Sequence, residues 1–550
     1  MFHPGGTAYS VLCTVLATLF TTLTFASSNI STYPPYNANW TFYSRPDLTA
    51  PKFEFSVWKE DLVTPGYMIL TPYSVPPGSN LAAGSVPEGD SACYTMGEIL
   101  EMVDGSIQNA PYIYDHKGNL IYSGYGSSGG QYAHDLKLAE YKGKYYLTFF
   151  QGIATTINRG HGILMDETYT IVDTVQSGLG RTATDVHEFT VLPNGTAITT
   201  IFQPTPYDLT AYGVDQPVGW VLQGIFQEID METGEVLFEW NSLDHTTPNE
   251  SYNGLASNSG AGDGTSVYTA WDYFHMNSVE KDHYGNYLVS SRYLCTVFYI
   301  SGQDGSIIWR LNGKENDFQM EGFSDDFAFA FQHHVRIHSR NETTMVISMF
   351  NDGSDGYDTN MTSPYSSGMI LAVDTSTKVC TLLKDYHLPQ YGVSTSQGSV
   401  QLLKDSNVFI GWGSQPFVSE YTEDGDCVMV GQFGLNGSAM SYRAFKIPSD
   451  SWVGQPQSTP ALWTYANSTT APTVFYTSWN GATEIASWRF YGSMNSTGRG
   501  IVLGTAEKTG FETTFTANRF WGWGYAEALD VTGAVLGTSP ILQTYVPSQM

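Results

Sequence analysis

The stretch HMNSVEKDHYGNYLVSSR (275–292), followed by YISGQDGSIIW (299–309), reads as four short strands. Apolar residues alternate on both sides of polar turns near 282–286 and 302–305, the pattern of half-buried strands joined by hairpins. The same order of events recurs along the chain. Strand–turn–strand units are FEFSVWKEDLVTPGYMILTPYS (53–74), HDLKLAEYKGKYYLTFFQG (134–152), HEFTVLPNGTAITTIF (187–202), HHVRIHSRNETTMVISMF (333–350) and GSVQLLKDSNVFIGWG (398–413). Hairpins follow them at IYDHKGNLIY (113–122), LMDETYTIVD (164–173), EIDMETGEVLFEW (228–240), AVDTSTKVCTL (372–382) and EYTEDGDCVMV (420–430). A four-stranded unit cannot bury both faces alone, so a repeat of this kind predicts an all-β fold, a six-bladed β-propeller of four-stranded blades, over residues 45–445. A composition shift marks 446–472 as a linker. Residues 473–545 read as a small C-terminal β-sandwich-like appendage, with a seventh blade as the alternative.

Composition agrees with an all-β chain and narrows the function. The 550 residues carry 53 acidic and 24 basic side chains, a formal charge of −29, which argues against a nucleic-acid binder and against docking on anionic membranes. Charged and aromatic residues are each 14%, with 55 glycines, unlike a disordered chain or a coiled coil. The apolar run VLCTVLATLFTTLTF (11–25), followed by small residues at 26–28, reads as a signal peptide over residues 1–26, with a signal anchor as the alternative. No later stretch approaches 18 apolar residues, so no membrane insertion is expected after signal removal. The mature chain is then secreted to the extracellular space and N-glycosylated, at sequons Asn29, Asn39, Asn194, Asn249, Asn341, Asn360, Asn436, Asn467 and Asn495. Cys93, Cys295, Cys380 and Cys427 remain after the signal. They permit disulfides, Cys380–Cys427 being the favoured one, or buried free thiols.

The first strand of a propeller blade lines the central channel, so equivalent positions of successive blades converge on one axis. Four consecutive units begin that strand with histidine: His134, His187, His275, and His333 or His334. The second strands return to the same level at Gln151, Arg292, Asn351 and Trp412. Imidazoles, a guanidinium and amides in an acidic protein suit an anionic ligand, and imidazole can act as nucleophile, acid or base. Duller readings stand beside this one. A channel histidine can be structural, His187 can pair with Glu188, and Arg292 can neutralise an acidic neighbour. No CxxC or HExxH spacing supports a metal site, and the acidic loop NDGSDGYDTN (351–360) departs from calcium-loop spacing and reads as solvated.

The runs TDVHEFTVLPNGTAI (184–198), WDYFHMNSVEKDHYGNYLVSSR (271–292), GSIIWRLNGK (305–314), FAFQHHVRIH (329–338), SYRAFKIP (441–448) and SWNGATEIASWRFYG (478–492) resemble the arylsulfotransferase (ASST) family, in particular its secreted fungal branch. The resemblance implies transfer of a sulfuryl group from an aryl sulfate to a phenolic acceptor through a sulfohistidine, with no nucleotide donor and no cofactor. Carried over by motif, it implies His333 as nucleophile and His275, Asn277, Arg292 and His187 as ligands of the sulfuryl oxygens and helpers in proton transfer. His334, Gln332, His134, Gln151 and Trp412 are further candidates for substrate contact. The expected partners are therefore a small phenolic donor and acceptor. A related enzyme cyclising or isomerising a phenolic natural product, and a non-catalytic ligand-binding propeller, are the competing readings.

Overall fold

A computed structural model of the chain describes residues 39–74, 107–128, 132–153, 159–258, 260–324, 327–357, 361–437, 439–497 and 500–548. The expected signal segment, Cys93 and the sequons at Asn29 and Asn360 lie outside these residues.

The alternating segments form antiparallel sheets of four or five strands. Sheet I is ordered Ala439–Ile447, Tyr67–Ser74, Tyr112–Asp115, Leu120–Ser123; sheet II runs Tyr132–Tyr141, Lys144–Ile153, Arg159–Met165, Ile171–Val175. Sheet III runs Phe189–Val191, Thr196–Tyr207, Gly219–Asp230, Val236–Asn241; sheet IV runs Met276–Lys281, Tyr287–Ser291, Thr296–Ile300, Ile307–Leu311. Sheet V begins His333–Arg340, Thr344–Asn351, Ser367–Asp374, Val379–Tyr386 and adds Gln319–Glu321 in parallel at its edge. Sheet VI begins Ser399–Leu402, Val408–Gly411, Phe417–Tyr421, Cys427–Gln432. The first-named strands touch the next sheet in the order I to VI, and that of VI touches that of I, so the arrangement is propeller-like.

Segment 53–74 departs from the expected pattern. Its first strand, Glu54–Trp58, pairs with Cys427–Gln432 at the outer edge of sheet VI, and the innermost place in sheet I is taken by Ala439–Ile447. The two ends of the propeller-like region thereby cover edges that would otherwise present unpaired backbone groups. A local pattern cannot show a pairing between segments so far apart in sequence.

Apolar faces of neighbouring sheets form the core, each fully buried large side chain contributing about 1.5–3 kcal/mol. Leu288, Val297 and Trp309 meet Ile347, Leu371 and Cys380 between sheets IV and V. Phe350 and Ile370 meet Val400, Ile410 and Trp412 between V and VI, with Cys427 packed against that cluster. The expected Cys380–Cys427 disulfide is therefore absent: the two residues belong to different inter-sheet layers, and Cys295, Cys380 and Cys427 are free thiols. Burial pushes the thiol of Cys380 up to about 12 and that of Cys427 up to about 11.

The C-terminal segment has two sheets. One is ordered Ala461–Tyr465, Val474–Ser478, Glu512–Thr516; the other contains Ile501–Glu507, Ser487–Ser493, Trp523–Leu529, Val535–Thr538 and Leu542–Gln543. They share a core of Leu462, Phe475, Trp488, Phe490 and Trp521. Ala461–Tyr465 lies within the expected linker (446–472) yet forms a strand, because its alternate residues Leu462 and Thr464 are buried beneath the sheet. Among the described residues no helix is long and apolar enough to cross a membrane.

Candidate functional site

The inner strands carry backbone irregularities where the histidines sit. Register shifts interrupt pairing after His134, Met276 and His333, and φ is positive at Asp135 (62°), His275 (52°) and His334 (53°). A bulge re-aims the side chains on either side of it. That settles which member of His333–His334 joins the other imidazoles. His333 Nδ1 meets Asp352 Oδ2 at 2.6 Å, and its ring lies 6.3 Å from that of Tyr442. His334 turns away, accepting the Val400 N–H (3.3 Å) and packing on Phe445 at 5.3 Å.

The structure brings His187, His275 and His333 together with His134: three of them surround one aromatic ring, and His275 joins them against His187. His187 and His275 meet edge to face at 4.7 Å. Tyr442, from the strand that completes sheet I, lies 5.8 Å from His187 and 5.9 Å from His134. Behind each of the first three stands a carboxylate: Asp185 on His187, Asp272 on His275 Nδ1 (2.5 Å) and Asp352 on His333. Sequence reasoning missed all three. Asp-x-His (185–187) and Asp-x-x-His (272–275) were visible signals, whereas Asp352 lies in the loop expected to be solvated. The structure corrects that expectation: Asp352, Ser354 and Asp355 are buried, although residues 358–360 lie outside the described set.

Hydrogen bonds fix the tautomer of His333. The Gln397 N–H, which can only donate, points at Nε2 from 3.3 Å, so the ring proton sits on Nδ1 facing Asp352. The Gln397 contact is long enough to be weak, leaving Nε2 a usable lone pair. Gly398, at φ 118°, allows this approach; a Cβ there would lie 2.4 Å from the Phe350 ring. Burial, reinforced by Arg292, holds His333 well below the ordinary imidazole value, and burial with His187 does the same to His275. His134 is lowered to about 3 by burial and by His187. Burial raises Asp272 to about 7 and Asp352 well above the usual carboxylate range.

Arg292 is 1% exposed. Its Nη2 donates to the carbonyls of Asp355 (3.1 Å) and Thr395 (3.0 Å), while Nε and Nη1 are buried without a hydrogen-bond partner. It forms no salt bridge among the described residues. Burial opposes its charge, but Tyr293, Asp352, Tyr357 and Asp355 raise its pKa, so it stays protonated. The Tyr442 hydroxyl is also buried without a partner.

Other candidates sit elsewhere or face other groups. Asn277 Nδ2 donates one of its two N–H groups to the Gln332 carbonyl (2.6 Å), which braces the strand entering His333. Gln332 Nε2 faces Ser290, Ser291 and Thr296 of sheet IV. Trp412 is a core residue with Nε1 on Ser419 Oγ, and Asn351 Oδ1 accepts the Ala330 N–H. Gln151 is buried opposite Ala133, next to the strand of His134. The alternative pairing of His187 with Glu188 does not form, since Glu188 turns to Arg443, Arg336 and Lys137. No group of three or more potential ligands fit to hold a metal ion occurs among the described residues.

Among solved structures, a protein of unknown function from Bacteroides caccae is similar at 11% identity, over 69% of this chain and 98% of its own, with a TM-score of 0.35. The Dos1 propeller is similar at 13% identity, covering 65% and 71%, with a TM-score of 0.29. Virginiamycin B lyase from Staphylococcus aureus with quinupristin is similar at 11% identity, covering 62% and 91%, with a TM-score of 0.28. These likenesses are too distant to inform the site or its chemistry. None of the curated proteins matches the chain significantly. The sequence profile of Arylsulfotransferase (ASST) matches residues 137–434, more than half of the 550, and the chain belongs to that family.

Proposed function

We propose that this protein is a secreted, N-glycosylated six-bladed propeller enzyme of the fungal branch of the family, with residues 473–545 as a C-terminal sandwich module. It transfers a sulfuryl group from an aryl sulfate to a phenol through a sulfohistidine at His333. The observation that carries the reading is Arg292: a buried guanidinium with two nitrogens, Nε and Nη1, lacking a hydrogen-bond partner, no carboxylate in ion-pair contact among the described residues, and neutral imidazoles around it. An unpaired buried charge costs several kcal/mol, and a bound sulfate ester would offset that cost by accepting paired hydrogen bonds from the guanidinium.

In the first half-reaction the Nε2 lone pair of His333 forms the N–S bond while the S–O bond to the aryl group breaks, and the electron pair leaves with the phenolate. Asp352 keeps the ring proton on Nδ1, so that the attacking lone pair stays on Nε2, and Arg292 Nε and Nη1 neutralise the sulfuryl oxygens. In the second half the phenolic acceptor attacks sulfur, the S–N bond returns its pair to His333, and His275, whose ring meets that of His187, takes the phenol proton.

Purified protein mixed with 4-nitrophenyl sulfate and a second phenol tests this. The reading predicts nitrophenolate release that depends on the acceptor, with a sulfated second phenol as product. Release independent of the acceptor indicates a sulfatase, and no release from folded protein rejects the transfer reading.

A further inference from the structure

Far along the chain from the histidine cluster, a set of aromatic side chains stands on the outer face of the three-stranded C-terminal sheet. Trp463 and Tyr465 are alternate residues of one strand, and Tyr476 lies directly across from Trp463. Tyr545 joins by a parallel bridge to Tyr465, and Tyr43 approaches from the N-terminal side. The Trp463 ring is 5.2 Å from Tyr43, 5.5 Å from Tyr465 and from Tyr476, and 6.5 Å from Tyr545. Tyr43 is 60% exposed and Tyr545 56%, so water faces a cluster of rings that would pack well against something.

The sequence also supplies an occupant. Two residues beyond Tyr465, in the bend that follows the strand, is Asn467, the first residue of the sequon Asn467-Ser468-Thr469. Asn467 is exposed, and the Tyr465 hydroxyl donates to its Oδ1. The amide's other atom, Nδ2, is the one to which a sugar attaches.

We propose that Asn467 carries an N-linked glycan whose first sugars lie on this aromatic cluster. The proposal rests on the secretory reading above. Its covalent step joins Nδ2 to the anomeric carbon of N-acetylglucosamine as that carbon's bond to a lipid diphosphate breaks. The lipid diphosphate oligosaccharide is the co-reactant, supplied by the secretory pathway, and the amide proton leaves with the diphosphate. The electron-rich faces of Tyr and Trp then meet the polarised C–H groups of a pyranose, while the tyrosine hydroxyls hydrogen-bond its hydroxyls. The glycan shields the exposed rings and ties down the strand end that Tyr545 also reaches.

The test uses the full chain secreted from a glycosylating eukaryotic host. Glycopeptide mass analysis shows occupancy at Asn467. Asn467→Gln and Thr469→Ala each lower the thermal midpoint by about 2 °C or more. Thr343→Ala, which removes the Asn341 sequon while Asn341 Oδ1 still accepts the backbone N–H groups of residues 343 and 344, leaves the midpoint unchanged. In a Tyr465→Ala/Tyr545→Ala background the loss on Asn467→Gln disappears. An unmodified Asn467 in a protein glycosylated at Asn194, Asn249 or Asn341 overturns the proposal while leaving secretion intact; absence of glycan from every sequon overturns both. Equal losses in the two backgrounds overturn the cluster's role.

Discussion

His134 and Asp135, His187 and Glu188, Tyr442 and Arg443 are neighbours in sequence, yet each pair divides between two clusters on the inner strands. The first members gather with His275, His333 and Arg292. The second members gather with Lys137 and Arg336. In this second cluster Arg443 binds Asp135 at 2.8 Å and Glu188 at 3.1 Å, and Arg336 and Lys137 reach Glu188 at 2.6 and 2.9 Å. Burial alone would raise the pKa of Glu188, but Arg336, Arg443 and Lys137 hold it well below the ordinary value. Three cations and two carboxylates there are joined by ion pairs across sheets I, II, III and V, which fixes how those inner strands meet, although Arg443 Nε and Asp135 Oδ1 lack a partner. In the histidine cluster the guanidinium has no ion pair among the described residues. Arg292 Nε and Nη1, His134 Nδ1 and the Tyr442 hydroxyl are buried without partners, each at a cost of about 1–3 kcal/mol. The comparison separates a cluster held by ion pairs from one that the proposed function reads as an anion site.

Substitutions break that contrast in graded ways. His333→Gln is expected to lower transfer from 4-nitrophenyl sulfate by about 10⁴-fold or more while the protein stays folded, as read by initial rates and circular dichroism. Glu188→Gln has the reverse profile: it leaves Arg443, Arg336 and Lys137 short of a buried counter-charge and costs about 3–5 kcal/mol in denaturant unfolding, with turnover per folded molecule retained. Asp352→Asn keeps the shape beside His333 but removes the carboxylate that holds the Nδ1 proton. It should reduce kcat by about 10²–10⁴-fold with a smaller change in KM, in single-turnover and steady-state assays.

The smallest effect is a slope. His134 has a pKa of about 3 in the folded protein against 6.5 for an ordinary imidazole, so on acidification the unfolded chain takes up its proton first. The stability this group contributes is complete above pH 6.5 and is lost toward pH 3 by about 1.4 kcal/mol per pH unit. Asp272, raised to about 7, acts in the opposite sense, gaining stability as pH falls from there toward its model value of 3.8. His134→Phe should therefore flatten the decline in unfolding free energy between pH 6 and pH 5 by about one proton. An unchanged slope would place His134 outside the buried cluster.

Local pattern made the hairpins legible, since each is encoded by alternation around a polar turn such as 282–286. It also showed which inner strands begin with histidine. It did not show that Ala439–Ile447 enters sheet I, because that pairing with Tyr67–Ser74 joins distant segments, so Tyr442 was read only as part of a motif. Asp352 escaped because an acidic, glycine-containing loop looks solvated until a buried imidazole is known to face it. Cys380 and Cys427 could be paired on paper since spacing carries no information about inter-sheet layers. Motif singled out Asn277 but did not show that one of its amide N–H groups bonds the backbone that carries His333, since that contact joins distant segments.

Rapid-quench mass analysis tests the account at its centre. Protein is mixed with 4-nitrophenyl sulfate in the absence of acceptor, quenched in alkali and digested. The account predicts a gain of one SO₃ group on the peptide containing His333, discharged on adding a phenol and absent from the His333→Gln variant. Stoichiometric nitrophenolate release with no modified histidine, or with the group on another residue, would contradict it.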